Sequence, residues 1–340
     1  MKIVIAGAGA IGAYLGAHLA RAGADVVLYA RGPHLQAMRD LGLRVLALDG
    51  GFHVRPRVTD DLAAVGPADV VILAVKAPSL PELAPRLAPL FGPETVAVST
   101  QNGLPWWYFH DTTGSGPGRH PLHGFRFEPA DPGGIVTRAI DPGRVLGAVV
   151  YFATAVEEPG VIRQSGGSRM LLGEPDGARS PRLLRVAAAL EAAGLNCPVT
   201  DEIRREIWVK LLGNVAFNPL SVITGATVGD LVHHPAGSRL VRAIMAEVEA
   251  VARRLDLEPS VSIDERMARA ALSGPHRTSM LQDFEAGRPL ELDAIVGSVI
   301  AVADHLGVAV PSIRAADACV RMLDDRRMRE RVEREREVAG

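Results

Sequence analysis

The sequence is poor in cysteine, in aromatic residues and in net charge, and each scarcity excludes a class of protein. Its 340 residues include two cysteines, Cys197 and Cys319, which lie too far apart to suggest a disulfide framework and have no neighbours at zinc-ligand spacing. The formal net charge of -2 provides no positive field for a nucleic-acid backbone. We therefore expect a cytoplasmic protein with no metal site and no nucleic-acid partner.

Long uninterrupted apolar helices are also scarce near the N-terminus. Residues 3–20 are uncharged and resemble a signal peptide or a membrane span, but Gly7, Gly9, Gly12 and Gly16 interrupt them. Glycine inside a helix costs about 1 kcal/mol relative to alanine, so a continuous spanning helix is disfavoured. We expect no membrane association.

The chain is long enough for two domains, and its pattern changes character once. Short β-branched runs alternate with helical or loop material in the first half, which predicts a doubly wound parallel sheet of the Rossmann type. A helix is predicted over 11–22, and residues 104–144, rich in Gly, Pro and His, are predicted to be a long irregular loop. The predicted strands are Lys2–Ala6, 25–30, 69–75, 95–100, 145–153 and 170–172.

Beyond Thr200 the periodicity is helical, with Thr200 or Asp201 as the predicted N-cap of the first helix. The predicted organisation is a Rossmann domain over 1–198, an all-α domain over 199–325 and a charged tail over 326–340, a solvated or frayed terminal helix with no chemical role.

A glycine-rich turn follows the first predicted strand and opens a helix. Gly7 would permit the tight turn, Gly9 would leave room for a pyrophosphate and Gly12 would allow close packing of helix on strand, while Ala10 and Ile11 would present helix N-terminal N–H groups. A glycine turn without a ligand is the alternative. This context favours a dinucleotide site.

The end of the second strand distinguishes the two nicotinamide cofactors. An NAD-specific site would place an acid there, whereas this strand is followed by Arg31. A guanidinium can bind a 2′-phosphate through paired donors, which predicts NADP(H), although Arg31 could instead be an ordinary surface cation. Lys76 and Asn102 follow later strands, where each is either a cofactor or substrate contact or an exposed loop residue.

The segment 207–219 predicts an apolar helix with a polar stripe. Lys210, Asn214 and Asn218 recur at intervals of four and share one helix face, which is either the wall of a polar pocket or the solvent face. A lysine in an apolar cleft has a lowered pKa and can protonate a carbonyl oxygen, so Lys210 is the predicted general acid. Ser279 could donate to a carboxylate, and Glu291 could accept from a hydroxyl or simply stabilise a helix N-terminus.

Together these motifs resemble the 2-dehydropantoate 2-reductase (ketopantoate reductase) family, over residues 1 to about 320. The resemblance implies NADPH-dependent reduction of 2-dehydropantoate to (R)-pantoate in pantothenate and coenzyme A biosynthesis. It implies that Lys210 protonates the keto oxygen and that Glu291 binds the substrate hydroxyl or orders the site. It also implies substrate contacts from Asn102, Asn214, Asn218 and Ser279. The motifs are the glycine turn with Arg31, Lys76, 101–103, 208–220, 278–283 and 291–293.

Three alternatives share parts of this pattern. A paralogue acting on another branched 2-keto acid would keep the same machinery, and two departures bear on this: His276 stands where some members carry an asparagine, and the 104–144 stretch is longer than in compact members. A 3-hydroxyacid or polyol-phosphate dehydrogenase is the second alternative, but the asparagine stripe with Ser279 and Glu291 resembles the pantoate enzymes more closely. A non-catalytic NADP sensor would not need Lys210. The apolar second domain also makes a homodimer plausible.

Overall fold

The computed structural model describes residues 1–47, 50–110, 122, 125 and 127–339, and the side chains of these residues except 335–339. The chain divides into two compact units, Met1–Arg204 and Arg205–Gly340. The sequence pattern placed this boundary at 198.

The first unit is built on a seven-stranded sheet in the order β11-β8-β7-β6-β1-β2-β5. All neighbouring strands in it are parallel except β11, which runs antiparallel to β8. The sheet order reverses direction next to β1, so the crevice beyond the carboxyl ends of β1 and β6 is the expected ligand position. Its strands are β1 (Lys2–Ala6), β2 (Asp25–Tyr29), β5 (Arg57–Thr59), β6 (Ala68–Leu73), β7 (Phe91–Ser99), β8 (Val145–Val150) and β11 (Met170–Gly173).

A smaller sheet, which the sequence pattern did not predict, has the order β4-β3-β10-β9. Its β3–β10 pair is parallel and its two outer pairs are antiparallel. The predicted strand over 145–153 is wrong in this respect, because β8 ends at Val150 and the chain resumes as β9 in the second sheet. The strands are β3 (Leu43–Leu46), β4 (Phe52–Val54), β9 (Ala153–Glu158) and β10 (Val161–Gly166).

Helices cover the sheets, and the first of them lies in contact with strands of both. Within it Gly16 faces Leu28 so closely that an added Cβ would lie 2.8 Å from that side chain, which explains a glycine inside a helix. Buried Ile5, Leu15 and Leu28 belong to one continuous core. The helices are α1 (Ala10–Arg21), α2 (Gly32–Asp40), α3 (Leu80–Leu83), α4 (Ile135–Ala139) and α5 (Pro181–Ala192), with short 3₁₀ segments at Ala77–Ser79, Ala84–Leu90, Pro132–Gly134 and Pro142–Arg144.

The described residues within 104–131 are irregular, as predicted, whereas 132–144 contain α4 and two short 3₁₀ segments. The aromatic side chains of this loop are nevertheless part of the core, because Trp107, Tyr108 and Phe109 are buried. Phe109 and Phe127 stack edge to face at 5.3 Å between centroids, while Trp107 lies close against Gly147 of β8. Burial of large aromatic area explains why these residues are part of the core. Residues 111–121, 123, 124 and 126 of this prediction lie outside the described residues.

The second unit is helical, as predicted. Its first helix begins at Ile203, so the predicted N-cap at Thr200 or Asp201 is wrong: Thr200 Oγ1 instead accepts from the Glu202 N–H at 3.1 Å, ahead of the helix. The helices are α6 (Ile203–Thr224), α7 (Val228–His233), α8 (Pro235–Arg253), α9 (Ile263–Ala271), α10 (Ser279–Glu285), α11 (Ser298–Leu306) and α12 (Pro311–Ala339), with a π-helical turn at Asp293–Gly297.

The apolar helix α6 and the charged C-terminal tail of this unit each bear on an expectation from the sequence. Among the described residues, α6 is long and apolar enough to cross a membrane, but 72% of its most apolar window is buried, as in a core helix. The charged tail continues α12, in agreement with the predicted terminal helix, but Arg327 within it is only 15% exposed and so is not solvated as expected. Its guanidinium donates to the carbonyls of Phe284 and Arg288 at 2.5 and 3.2 Å. The tail therefore caps the end of α10.

Candidate active site

The glycine turn has the geometry that a close approach of anionic ligands requires. Gly7 has φ +110°, a conformation that L side chains rarely adopt. The turn is tied to the next strand by the Ala8 N–H, which donates to the Tyr29 carbonyl at 2.7 Å. Gly9 is the N-cap of α1 and supplies no side-chain cap, which leaves the first N–H groups of α1, including those of Ala10 and Ile11, for a ligand.

Gly9 and Gly12 differ in what a side chain would meet. A Cβ added to Gly12 would collide with the Gly7 carbonyl oxygen and lie 2.9 Å from Ala74 Cβ. A Cβ at Gly9 would meet nothing within 4 Å. Gly12 therefore serves packing, whereas the open space above Gly9 is where a ligand can approach the backbone. These are the separate roles expected for a dinucleotide fingerprint.

A cleft of about 280 Å³ continues from this turn along the end of β2. Arg31 is the N-cap of α2 and lines this cleft, as do Tyr29 and His34. The Tyr29 hydroxyl is buried and has no hydrogen-bond partner among the described residues. Such a buried polar atom is costly without a ligand to pair with it. The remaining lining residues are Gly7, Ala8, Gly9, Ala30, Val75, Ser79, Glu82, Leu83, Arg86 and Val156.

Two details set the charge of the cleft. The His34 Nδ1 accepts from the Gly160 N–H at 3.0 Å, and burial lowers the pKa of His34 although the Ala8 backbone partly opposes this. His34 is therefore neutral near pH 7. The Arg31 guanidinium lies 3.6 Å from the Glu82 carboxylate in an exposed ion pair. The residue predicted to bind the 2′-phosphate is therefore already paired with a carboxylate.

The other two strand-end residues of the first unit lie where the sequence placed them. Lys76 is half-buried and precedes the 3₁₀ segment after β6. Asn102 is half-buried and follows β7. Gln101, to which the sequence analysis gave no role, donates from Nε2 to the Leu73 carbonyl at 2.7 Å and accepts from the Ser99 hydroxyl at 2.8 Å. It thus links the carboxyl ends of β6 and β7 and orders the turn that carries Asn102.

In the second unit, the polar stripe lies on α6 as a row of buried or half-buried side chains. Lys210 and Asn214 are half-buried, and Asn218 is 4% exposed. Burial lowers the pKa of Lys210 to about 8, against the opposing negative charge of Glu291. Glu291 itself is 7% exposed and precedes the π-helical turn. This stripe is therefore not a solvent face, and Lys210 has the pKa of a usable acid.

A hydrogen-bonded chain joins the stripe to the start of α10. The Ser221 hydroxyl donates to the Asn218 carbonyl at 2.8 Å and lies 2.7 Å from the Thr278 hydroxyl. Thr278 is the N-cap of α10 and accepts from the Leu281 N–H. The next residue, Ser279, is exposed. The roles of Ser221 and Thr278 were not predicted from the sequence, since two hydroxyls 57 positions apart give no local signal.

Asn218 has a further property that points to a ligand. Its Nδ2 is buried, and no hydrogen-bond acceptor for it lies within the described ranges. The backbone carbonyl of Asn218 accepts from the Ser221 hydroxyl, whereas its side-chain amide nitrogen is available to donate to an oxygen atom of a ligand. His276, in contrast, is exposed, and its backbone carbonyl accepts from the Val228 N–H.

The described residues fit a nicotinamide dinucleotide and provide no metal centre. The open approach at Gly9, the free end of α1 and the buried Tyr29 hydroxyl are the features that such a ligand would use. Across the described part of the chain, no group of three His, Cys, Asp or Glu side chains is placed to hold a metal ion. The fold and the glycine turn define a Rossmann-type oxidoreductase.

Comparison with known proteins identifies the family. The model of the family "Ketopantoate reductase PanE/ApbA" matches residues 3–105, and that of "Ketopantoate reductase PanE/ApbA C terminal" matches residues 202–324. A 2-dehydropantoate 2-reductase from Mesorhizobium japonicum is 45% identical over 325 residues, which cover 95% of this chain and 98% of the relative. The chain belongs to the ketopantoate reductase family.

Solved structures agree with this assignment. A protein from Ralstonia solanacearum provisionally assigned as a ketopantoate reductase is 42% identical, with a TM-score of 0.89 over 96% of this chain and 98% of that one. A D-mandelate dehydrogenase, solved with NADH and anilino(oxo)acetate, shares the fold at 22% identity, with a TM-score of 0.81 over 96% of this chain and 99% of that one. The predicted family and fold class are thus confirmed.

Proposed function

We propose that this protein catalyses the NADPH-dependent reduction of 2-dehydropantoate to (R)-pantoate. The observation that carries the proposal is Lys210, a half-buried lysine of α6 whose pKa is lowered to about 8 by burial, against the opposing charge of Glu291. A reductase of a 2-keto acid needs such a proton donor at neutral pH. The relative with 45% identity bears the name of this reaction.

In the proposed reaction, Lys210 gives a proton from its ammonium to the keto oxygen as the C=O double bond becomes a C–O single bond. The nicotinamide, when bound, supplies the hydride that the keto carbon receives. The positive charge of Lys210 also stabilises the developing oxyanion before the proton has moved. Lys210 is left neutral and regains a proton from solvent in the next cycle.

The neighbouring polar residues are proposed to hold the substrate. Asn218 offers a buried amide nitrogen without a partner among the described residues, and Asn214 lies one turn before it on the same face of α6. Ser279 is proposed as a donor to the substrate carboxylate, Asn102 as a further amide contact, and Glu291 as the acceptor for the substrate hydroxyl. The buried carboxylate of Glu291 also keeps Lys210 more readily protonated.

We propose that the cofactor is NADP(H), bound by Gly7, Gly9, Ala10, Ile11 and Lys76, with Gly12 allowing the close packing that shapes the turn and with Arg31 binding the 2′-phosphate. NADPH should then bind at least about tenfold more tightly than NADH, because a charge-assisted pair contributes about 1.5–3 kcal/mol. Arg31→Ala should remove most of this preference. Titration of the protein fluorescence with each cofactor measures it, and equal affinities in the unmodified protein would contradict the proposal.

The substrate proposal is tested by NADPH oxidation with 2-dehydropantoate beside a panel of branched and aromatic 2-keto acids. The expected result is a kcat/KM for 2-dehydropantoate that exceeds those of the other acids. A higher value for another branched acid would indicate the paralogue alternative, and turnover of an aromatic acid would point to the specificity named for the D-mandelate neighbour. We place the activity in the cytoplasm, with homodimerisation as an open expectation.

A further inference from the structure

Arg86 lines the same cleft as Arg31, and no role was predicted for it from the sequence. It lies in the 3₁₀ segment Ala84–Leu90, one turn beyond Glu82 of α3. Its guanidinium carbon lies 5.6 Å from the centroid of the Tyr29 ring, which places the side chain over the end of β2. In the described part of the chain no carboxylate pairs with Arg86, so its charge is not neutralised.

The charges of the cleft do not suit a 2′-phosphate held by Arg31 alone. A phosphate monoester carries between one and two negative charges near pH 7. Arg31 already has Glu82 at 3.6 Å, and the negative charge of Glu82 would also repel an incoming phosphate. His34 contributes no charge, because its pKa is lowered. A second cation is needed for the balance, and Arg86 is the arginine of the cleft whose charge is uncompensated.

The position of Arg86 also suits this task. Arg31 is the N-cap of α2, so the N-terminal end of that helix adds a partial positive charge at the same place. The buried Tyr29 hydroxyl, below the Arg86 guanidinium, lacks a partner among the described residues and independently indicates that a ligand binds here. Arginine is suited to phosphate because its planar donors bind two oxygen atoms together.

We propose that Arg86 is a second ligand of the cofactor 2′-phosphate, and that Glu82 weakens phosphate binding by holding Arg31 in an ion pair. The proposal rests on the proposed NADP(H) preference and names the residues that set its size. Arg86 attracts the 2′-phosphate, Glu82 opposes its binding, and the size of the proposed preference results from the balance between them.

The experiment measures binding directly and needs no turnover. Calorimetric titration of the full-length protein with adenosine 2′,5′-bisphosphate and with 5′-AMP, at one ionic strength, gives an affinity ratio that isolates the 2′-phosphate. Arg86→Met keeps an unbranched side chain over the Tyr29 ring and should lower this ratio about tenfold, while Arg86→Lys should lower it less. Glu82→Gln should raise the ratio by roughly threefold. Arg185→Met, at an exposed arginine of α5 outside the cleft, is the matched control and should change nothing.

The outcomes separate this proposal from the one it rests on. If the unmodified protein binds both nucleotides equally, the NADP(H) preference itself is wrong. If the preference exists but Arg86→Met leaves the ratio unchanged, or weakens both nucleotides equally as loss of adenine stacking would, the role of Arg86 is refuted. A ratio that falls in Glu82→Gln would show that Glu82 assists phosphate binding and would overturn its proposed role.

Discussion

The lowered pKa of Lys210 makes the rate of keto-acid reduction depend on pH in a specific way. With a pKa of about 8, Lys210 is protonated in most molecules at pH 7 and deprotonated in most at pH 9. If its protonated form is the catalyst, kcat/KM for the keto acid should fall about 25-fold between pH 7.5 and pH 9.5. A lysine at its ordinary value of 10.5 would show almost no change over this range.

Two variants test whether this fall in kcat/KM at high pH, the alkaline limb of the pH profile, results from deprotonation of Lys210. Glu291 raises the pKa of Lys210 through its charge, so Glu291→Gln should move the limb to lower pH. Lys210→Ala should reduce kcat by at least about 10³, through the loss of proton donation and oxyanion stabilisation, while NADPH affinity stays nearly the same.

The assay is the initial rate of NADPH oxidation at saturating cofactor, from pH 6.5 to pH 10 at constant ionic strength. Circular dichroism of each variant at the same pH values excludes loss of folded structure as the cause of a lower rate. A flat profile up to pH 10, or a limb that Glu291→Gln leaves in place, would refute the assignment of Lys210 as the acid. More than a tenth of the original kcat in folded Lys210→Ala would refute it as well, and Lys76 would then be the next candidate.

Three further predictions concern residues whose surroundings are described in detail. Gly9→Val should weaken NADPH binding at least about tenfold with little change in Tm, because its Cβ meets only open space in the protein. Gly12→Ala should instead lower the free energy of unfolding by about 1–3 kcal/mol through overpacking, and thermal melts with cofactor titrations distinguish the two effects. Asn218→Leu should raise the KM for the keto acid about tenfold without lowering Tm, since the buried Nδ2 has no partner among the described residues; a lower Tm with unchanged KM would mean that Asn218 is structural. Arg327→Met should reduce the free energy of unfolding by about 1–3 kcal/mol, measured by urea denaturation, because it removes donors to the carbonyls at the end of α10, and Arg327→Lys should restore part of the loss.

The glycine turn and the elements on either side of it were predictable from local sequence. Strand β1, the turn and α1 are consecutive, Gly7 and Gly12 lie against the chain after the adjacent strand β6, and Gly9 has open space above it. The periodicity of α6 likewise predicted the shared face of Lys210, Asn214 and Asn218. Such patterns are local, because hydrophobic period and turn chemistry are properties of neighbouring residues.

What the sequence concealed depended on pairing between distant segments. The smaller sheet joins β3 to β10, more than a hundred positions apart, and strands of three to six residues carry too little periodicity to be recognised. The burial of the aromatic run at 106–109 was also not predicted, because nothing in the local sequence indicates that this loop packs beside Gly147.

The energetics of the candidate site were also decided by tertiary structure alone. The type and position of Lys210 were visible in the sequence, but its pKa was not, because burial and the charge of Glu291, 81 positions later, act together only in the folded chain. The same holds for Arg327, whose segment reads as a solvated tail until α12 brings it to the end of α10. Desolvation and charge fall off with distance in space, so a chain's local pattern names the groups while its fold sets their free energies.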